Sequence, residues 1–176
     1  MTTAPPTATY TAMPVQDLPY PAGLGKMADY PGLELEMRRY LGEHWRNVEV
    51  NESAFWSARY QRIITEHLGE EHFAPQGDIV EIAKAALRWA RTSRYFDTTV
   101  EGHPVVAERL FKHGLAIAPD GAEATVVRHW MTWTPRLVAE SDGSHTIVEG
   151  RHRLSYLRSR IQPIEPTFPV LVLIIR

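Results

Sequence analysis

Cysteine is absent from the chain, which excludes disulfides, thiolate metal sites and a cysteine nucleophile. A membrane-length apolar run is also lacking. The longest apolar stretch, Val170 to Ile175, is short and rich in β-branched residues, so it reads as a buried strand. The first residues show no basic region followed by an apolar one, and the expectation is a cytoplasmic protein without a secretory signal. Charge of one sign is lacking too. The formal net charge is −2, whereas a dedicated DNA-binding protein usually carries a strong basic excess. Lysine is scarce beside arginine and alanine is common, a composition that points to a high-GC bacterial genome.

What is present suffices for a folded domain: 176 residues, of which 44% are hydrophobic. Residues 1–32 are rich in Pro, Thr, Ala and Tyr. Pro5, Pro6, Pro14, Pro19, Pro21 and Pro31 forbid a continuous helix, so the segment reads as an extended arm. Tyr10, Leu18, Tyr20 and Tyr30 can pin it to the body or to a second subunit. Residues 33–100 read as a helical extension. Leu33 to Val48 has an apolar face of Leu33, Met37, Tyr40, Leu41 and Trp45. Asn51 is placed to cap a second helix, Glu52 to Leu68, with Gly69 as its stop. A third runs from Ile79 to about Thr92, with Asp78 and Glu81 at capping-box spacing. Arg88, Arg91 and Arg94, at its end and just beyond, form a basic stripe, either a DNA-facing surface or a solvated face. Glu66, His67, Glu70, Glu71 and His72 cluster between helices two and three. His67 and His72 are not at the i, i+4 spacing of one helix face, and no metal site is assigned there.

Residues 101–176 read as the chemical domain. His103-Pro104 opens a helix that stops at Gly114; Leu115 to Ala118 and Ala124 to Trp130, across Pro119-Asp120-Gly121, carry a hairpin signal. Trp130 and Trp133 are either core or a wall for a base or an aromatic substrate. Arg136 to Ala139 is a strand paired, across the Asp142-Gly143 turn, with His145 to Val148. Gly150 permits a backbone corner. Arg151, His152 and Arg153 follow in the first turn of a helix whose apolar positions are Leu154, Leu157 and Ile161. The first N–H groups of a helix have no internal partner and its dipole is positive there, so two guanidinium groups and an imidazole in that turn make an anion site, most naturally for phosphate.

Val148-Glu149-Gly150-Arg151-His152-Arg153-Leu154, preceded by an Asp-Gly turn and followed by a helix and the strand Phe168 to Leu173, resembles the ParB/sulfiredoxin-like superfamily. The resemblance covers Pro135 to Arg176 well, His103 onward loosely, and the N-terminal half not at all. It implies an α+β fold: a ParB/sulfiredoxin-like mixed sheet with helices in the C-terminal half, preceded by the helical N-terminal extension. It further implies nucleotide phosphate held at Gly150, Arg151, His152 and Arg153, with ATP or ADP (or CTP) and Mg²⁺ as cofactors. Glu149 stands where many members have Asp, and Glu149 with His152 are the catalytic candidates. Sulfiredoxins carry their cysteine where this chain has Arg151, so that chemistry is excluded. Kinase-like members use a second glutamate from an upstream strand, and Glu123 and Glu140 are candidates by position. The expected function is a nucleotide-dependent phosphotransferase acting on a small hydroxyl-bearing metabolite. The alternatives are a ParB-like DNA-associated nucleotide-binding module, or a non-catalytic protein whose N-terminal helices bind a partner or dimerise.

Overall fold

The chain forms an α+β structure around a five-stranded mixed sheet; the computed structural model describes residues 5–101, 125, 127–130 and 133–176. The strands are β1 (Thr7–Pro14), β2 (Thr99–Glu101), β3 (Arg136–Ala139), β4 (His145–Glu149) and β5 (Pro169–Ile175), in the spatial order β2-β1-β5-β3-β4. β1 runs antiparallel to both β2 and β5, β3 and β4 form an antiparallel hairpin, and β3 lies parallel to β5. β5 sits in the middle, and its residues Val170 to Leu173 are all buried. A continuous apolar run is what a strand covered on both faces requires.

β1 gives the extended arm read at residues 1–32 a definite place, pinned to the body through Tyr10. The segment is an inner strand that pairs with β5 along its whole length, from Ala8–Ile175 to Pro14–Pro169. Its alternation explains this: Ala8 and Tyr10 point into the core while Thr9 and Thr11 face away. Thr9 meets Thr99 across the strand pair at 3.0 Å, and Thr11 donates to Asp97 at 2.6 Å.

The helices named among the described residues are α1 (Pro31–Leu41), α2 (Val48–Ala54), α3 (Ala58–Ile63), α4 (Ile79–Ala90) and α5 (Arg151–Ile161), besides the helical stretch at 127–130. α1 ends earlier than the apolar stripe suggests, at Gly42. The second helix of the sequence reading is two helices. Asn47, not Asn51, caps α2, accepting from the Val50 N–H at 2.9 Å, and Ser57 caps α3. Asn51 is instead a buried hub: its amide donates to Trp45 O and Asn47 O, and its carbonyl accepts from the Tyr60 hydroxyl at 2.7 Å. Gly69 does not stop the helix either. α3 continues as a π-helix, Ile64–Phe73, through Gly69, where a Cβ would come within 3.0 Å of the Tyr156 ring. α4 begins as its capping spacing requires, with Asp78 accepting from the Val80 and Glu81 N–H groups.

Residues 127–130 are helical, which overturns the strand expected up to Trp130; Val127 and Trp130 are both buried, the i, i+3 pairing of one helix face. The expected helix from His103, the strand at Leu115 to Ala118 and Glu123 lie outside the described residues. Among the described residues no helix is long and apolar enough to cross a membrane.

Candidate functional site

The β3–β4 hairpin, the corner and α5 form as their local chemistry dictates. Gly143 (φ 87°) makes the turn, with Asp142 accepting from the Ser144 N–H and hydroxyl. Gly150 is the N-cap of α5 in the left-handed region (φ 88°, ψ 12°), and no side chain caps that end. A helix start left open in this way presents its first N–H groups outward.

A cleft of about 440 Å³ opens at that end of α5. One wall is the corner itself, Val148 to Arg153. The other walls come from Lys26, Asp29 and Tyr30 before α1, His72 and Phe73 at the end of the π-helix, and His129 and Trp133 before β3. Arg151 ties the two sides together, donating to Gly25 O at 2.9 Å. Lys26 pairs with Asp29 at 2.5 Å in solvent. Three fixed cations (Lys26, Arg151, Arg153) therefore face two carboxylates (Asp29, Glu149), and the balance favours an anionic ligand.

Of the site residues expected from the sequence, Trp133 and Glu149 to Arg153 line this cleft, and Trp130 and Glu140 do not. Arg153 is buried, donates to Trp133 O at 2.9 Å and to His129 Nδ1 at 3.2 Å, and lies over the Trp130 ring. Burial pulls its pKa down to about 10, so it stays charged at neutral pH. Because a guanidinium only donates, His129 accepts through Nδ1. His152 stacks on Tyr30, with ring centroids 4.4 Å apart, and its Nε2 is buried without a hydrogen-bond partner. Burial, reinforced by Arg151, pushes its pKa down to about 3, so it is a neutral imidazole. Its contribution in this structure is packing against Tyr30, with no charge. Glu149 reaches back to accept from the Gly150 N–H at 3.2 Å while lining the cleft. Trp133 is on the rim, whereas Trp130 is buried beneath Arg153. Glu140 is remote from the cleft lining and accepts from the Thr146 hydroxyl at the hairpin.

Tyr30, His72, His129, Lys26 and Asp29 are cleft residues that the sequence reading did not assign to the site. The Tyr30 hydroxyl lies 3.1 Å from His72 Nε2, and the two rings meet edge to face at 4.9 Å. Burial first, then Arg153, holds both His72 and His129 below the usual histidine range. Burial raises the Tyr30 phenol. The cleft thus holds three neutral imidazoles and a phenol, all able to donate or accept hydrogen bonds. A π-helix often marks a functional position, and this one ends where it delivers His72.

The Arg88–Arg94 stripe is not uniform: Arg94 lies over the Tyr95 ring and donates to its hydroxyl at 2.7 Å, while Arg88 and Arg91 border a separate groove floored by Phe168. Among the described residues no group of three or more His, Asp or Glu is arranged to hold a metal ion.

Fold and site together define an α+β protein with a cationic, histidine-lined cleft at an open helix start. Comparison with family models, curated proteins and solved structures finds no match for the chain.

Proposed function

We propose that the cleft binds the phosphates of a nucleotide and that the protein transfers a phosphoryl group to a small hydroxyl-bearing metabolite. In this reading the hairpin, corner, α5 and β5 form a ParB/sulfiredoxin-like nucleotide-binding unit. The observation that carries it is the convergence of Lys26, Arg151 and Arg153 with the uncapped start of α5 on one cleft. Phosphoryl transfer needs positioned cations and little else from the protein. Arg151 and Lys26, the more accessible cations, neutralise charge on the transferring group. Arg153, held by Trp133 O and His129, fixes the floor.

Glu149 is the group placed to accept the proton of the attacking hydroxyl. The oxygen–phosphorus bond forms as the bond to the nucleotide's leaving oxygen breaks. Its carboxylate already accepts one hydrogen bond, from the Gly150 N–H, which orients it with lone pairs to spare. With Asp29 paired to Lys26, Glu149 is the cleft carboxylate that would hold a Mg²⁺ brought in with the nucleotide, its other ligands coming from the phosphates and water. Bound in that way, it would neutralise phosphate charge.

The test is calorimetric titration with ATP, ADP and CTP, with and without Mg²⁺, combined with turnover assays on Glu149→Gln. The variant is expected to bind the nucleotide within about threefold of the wild type and to lose turnover by about 100-fold or more. Unchanged turnover would remove Glu149 from the mechanism. Absence of binding by the wild type would remove the phosphate reading.

A further inference from the structure

The phosphate reading above leaves the rest of the nucleotide unassigned, and the tryptophans bear on it. The chain has five. Trp45 lies under the Arg38 and Arg46 guanidinium groups, at 5.1 and 4.7 Å. Trp56 donates to the Tyr20 hydroxyl and meets Phe55 edge to face. Trp89 packs against the core from α4. Trp130 is buried under Arg153. Each of these four has an architectural task. Trp133 differs: it is 52% exposed, it stands on the rim of the cleft, and its indole has no ring or hydrogen-bond partner among the described residues. Val148, 59% exposed, adds a second apolar surface to the same rim.

The exposed ring stands on a fixed backbone. The Trp133 N–H donates to His129 O at 3.2 Å, and its carbonyl accepts from Arg153. The next residue, Thr134, is buried, with its hydroxyl bonded to Trp130 O at 3.2 Å. The guanidinium assigned to the phosphates therefore also holds the main chain of the exposed indole. A flat apolar face and the buried guanidinium are thereby joined through the Trp133 main chain.

We propose that Trp133 is the stacking platform for the base of the bound nucleotide and that the cleft selects a purine nucleotide. This rests on the phosphate reading. Stacking on an indole needs only a π face, so it contributes affinity without reading hydrogen-bond edges. A bicyclic purine covers more of the ring than a pyrimidine does, and burying more apolar surface gives tighter binding. Loss of a single stacked base typically costs about tenfold or more in affinity.

The test is calorimetric titration of the full chain with Mg²⁺ and, in turn, ATP, CTP and inorganic triphosphate, using the wild type, Trp133→Ala and Trp133→Phe. The wild type is expected to bind ATP about tenfold tighter than triphosphate, with CTP between them. Trp133→Ala should bring ATP down to the affinity of triphosphate and leave triphosphate itself within about twofold. Trp133→Phe should keep part of the margin. Equal binding of ATP and triphosphate by the wild type, or equal weakening of both by Trp133→Ala, would overturn the platform while the phosphate site stands. Failure of all three ligands to bind the wild type would overturn both readings.

Discussion

The two ends of α5 each bury an arginine, and the pair can be compared directly. Arg153 and Arg158 lie on the same helix, are both buried, and are both held at a pKa of about 10 by burial. Both lie over aromatic rings: Arg153 over Trp130, and Arg158 over Tyr20 at 4.1 Å and Phe55 at 5.6 Å. Their surroundings separate them. Arg158 donates to the carbonyls of Val15, Leu18 and Pro19, which pins the loop that follows β1 onto α5. It borders no described cavity. Arg153 has one carbonyl and a neutral imidazole as partners and forms the wall of an open cleft. A buried guanidinium is therefore no mark of a site by itself; space beside it for an anion is. One helix serves both purposes, so whatever stabilises the N-terminal loop also steadies the cleft.

The largest expected effect breaks that symmetry. Arg158→Met keeps a long stem between Tyr20 and Phe55 but strands two buried carbonyls, of Val15 and Leu18, and the half-buried one of Pro19. It should cost on the order of 3–5 kcal/mol, read by chemical denaturation. Arg153→Met loses fewer bonds and faces a cleft that water can enter, so its stability cost should be smaller, about 1–2 kcal/mol, while ATP affinity falls sharply. Equal stability losses at the two positions would mean that Arg153 too is mainly structural.

A second effect belongs to the cleft end alone. His152 has a pKa of about 3 in the fold against roughly 6.5 in the unfolded chain. Between those values the unfolded state binds the extra proton, so stability is complete above about pH 6.5 and falls as pH drops toward 3. The groups that act on it are Arg151, His72, Lys26 and Asp29, with Tyr30 stacked on the ring. His72 and His129, also lowered, add in the same direction. Between pH 7 and pH 4 the His152 contribution should be on the order of 3 kcal/mol. His152→Phe preserves a ring against Tyr30, and its denaturation profile should lose that much of the acid sensitivity. Identical profiles for the two chains would place the acid-sensitive groups elsewhere.

The cleft end was half legible in the sequence, for physical reasons that differ by residue. Asp142-Gly143, the β-branched run of β4, Gly150 and the basic first turn of α5 are each specified by neighbours within a few positions, and the structure has them where the pattern puts them. The opposite wall has no such local signal. Arg151 reaches Gly25 and Tyr30 reaches His152 only because β1 pairs with β5 and brings residues more than a hundred positions apart together. β1 itself is obscured by its threonines, by Pro14 and by the prolines that precede it. His72 was seen as a failed zinc pair with His67, because an α-helical register was assumed where the backbone is π. Asn47 and Asn51 are equally good caps by type; burial among Trp45 and Tyr60 decides between them.

The smallest expected effect separates local strain from crowding at the same corner. Gly143 and Gly150 have nearly the same φ, 87° and 88°, so an alanine at either pays the same left-handed penalty of about 1–2 kcal/mol. A Cβ at Gly143 would meet nothing within 4 Å. At Gly150 it would sit 3.0 Å from the Cα and Cβ of Pro135, atoms of a rigid ring and its backbone just before β3. Gly150→Ala should therefore cost about 1 kcal/mol more than Gly143→Ala by thermal or chemical denaturation. It should also weaken nucleotide binding, because the corner has to move away from Pro135 and carries Glu149 and the α5 start with it. Gly143→Ala, at the far end of the hairpin, should leave binding unchanged. Equal costs at both sites would show that the corner yields freely and that the spacing between Pro135 and the start of α5 is not held fixed.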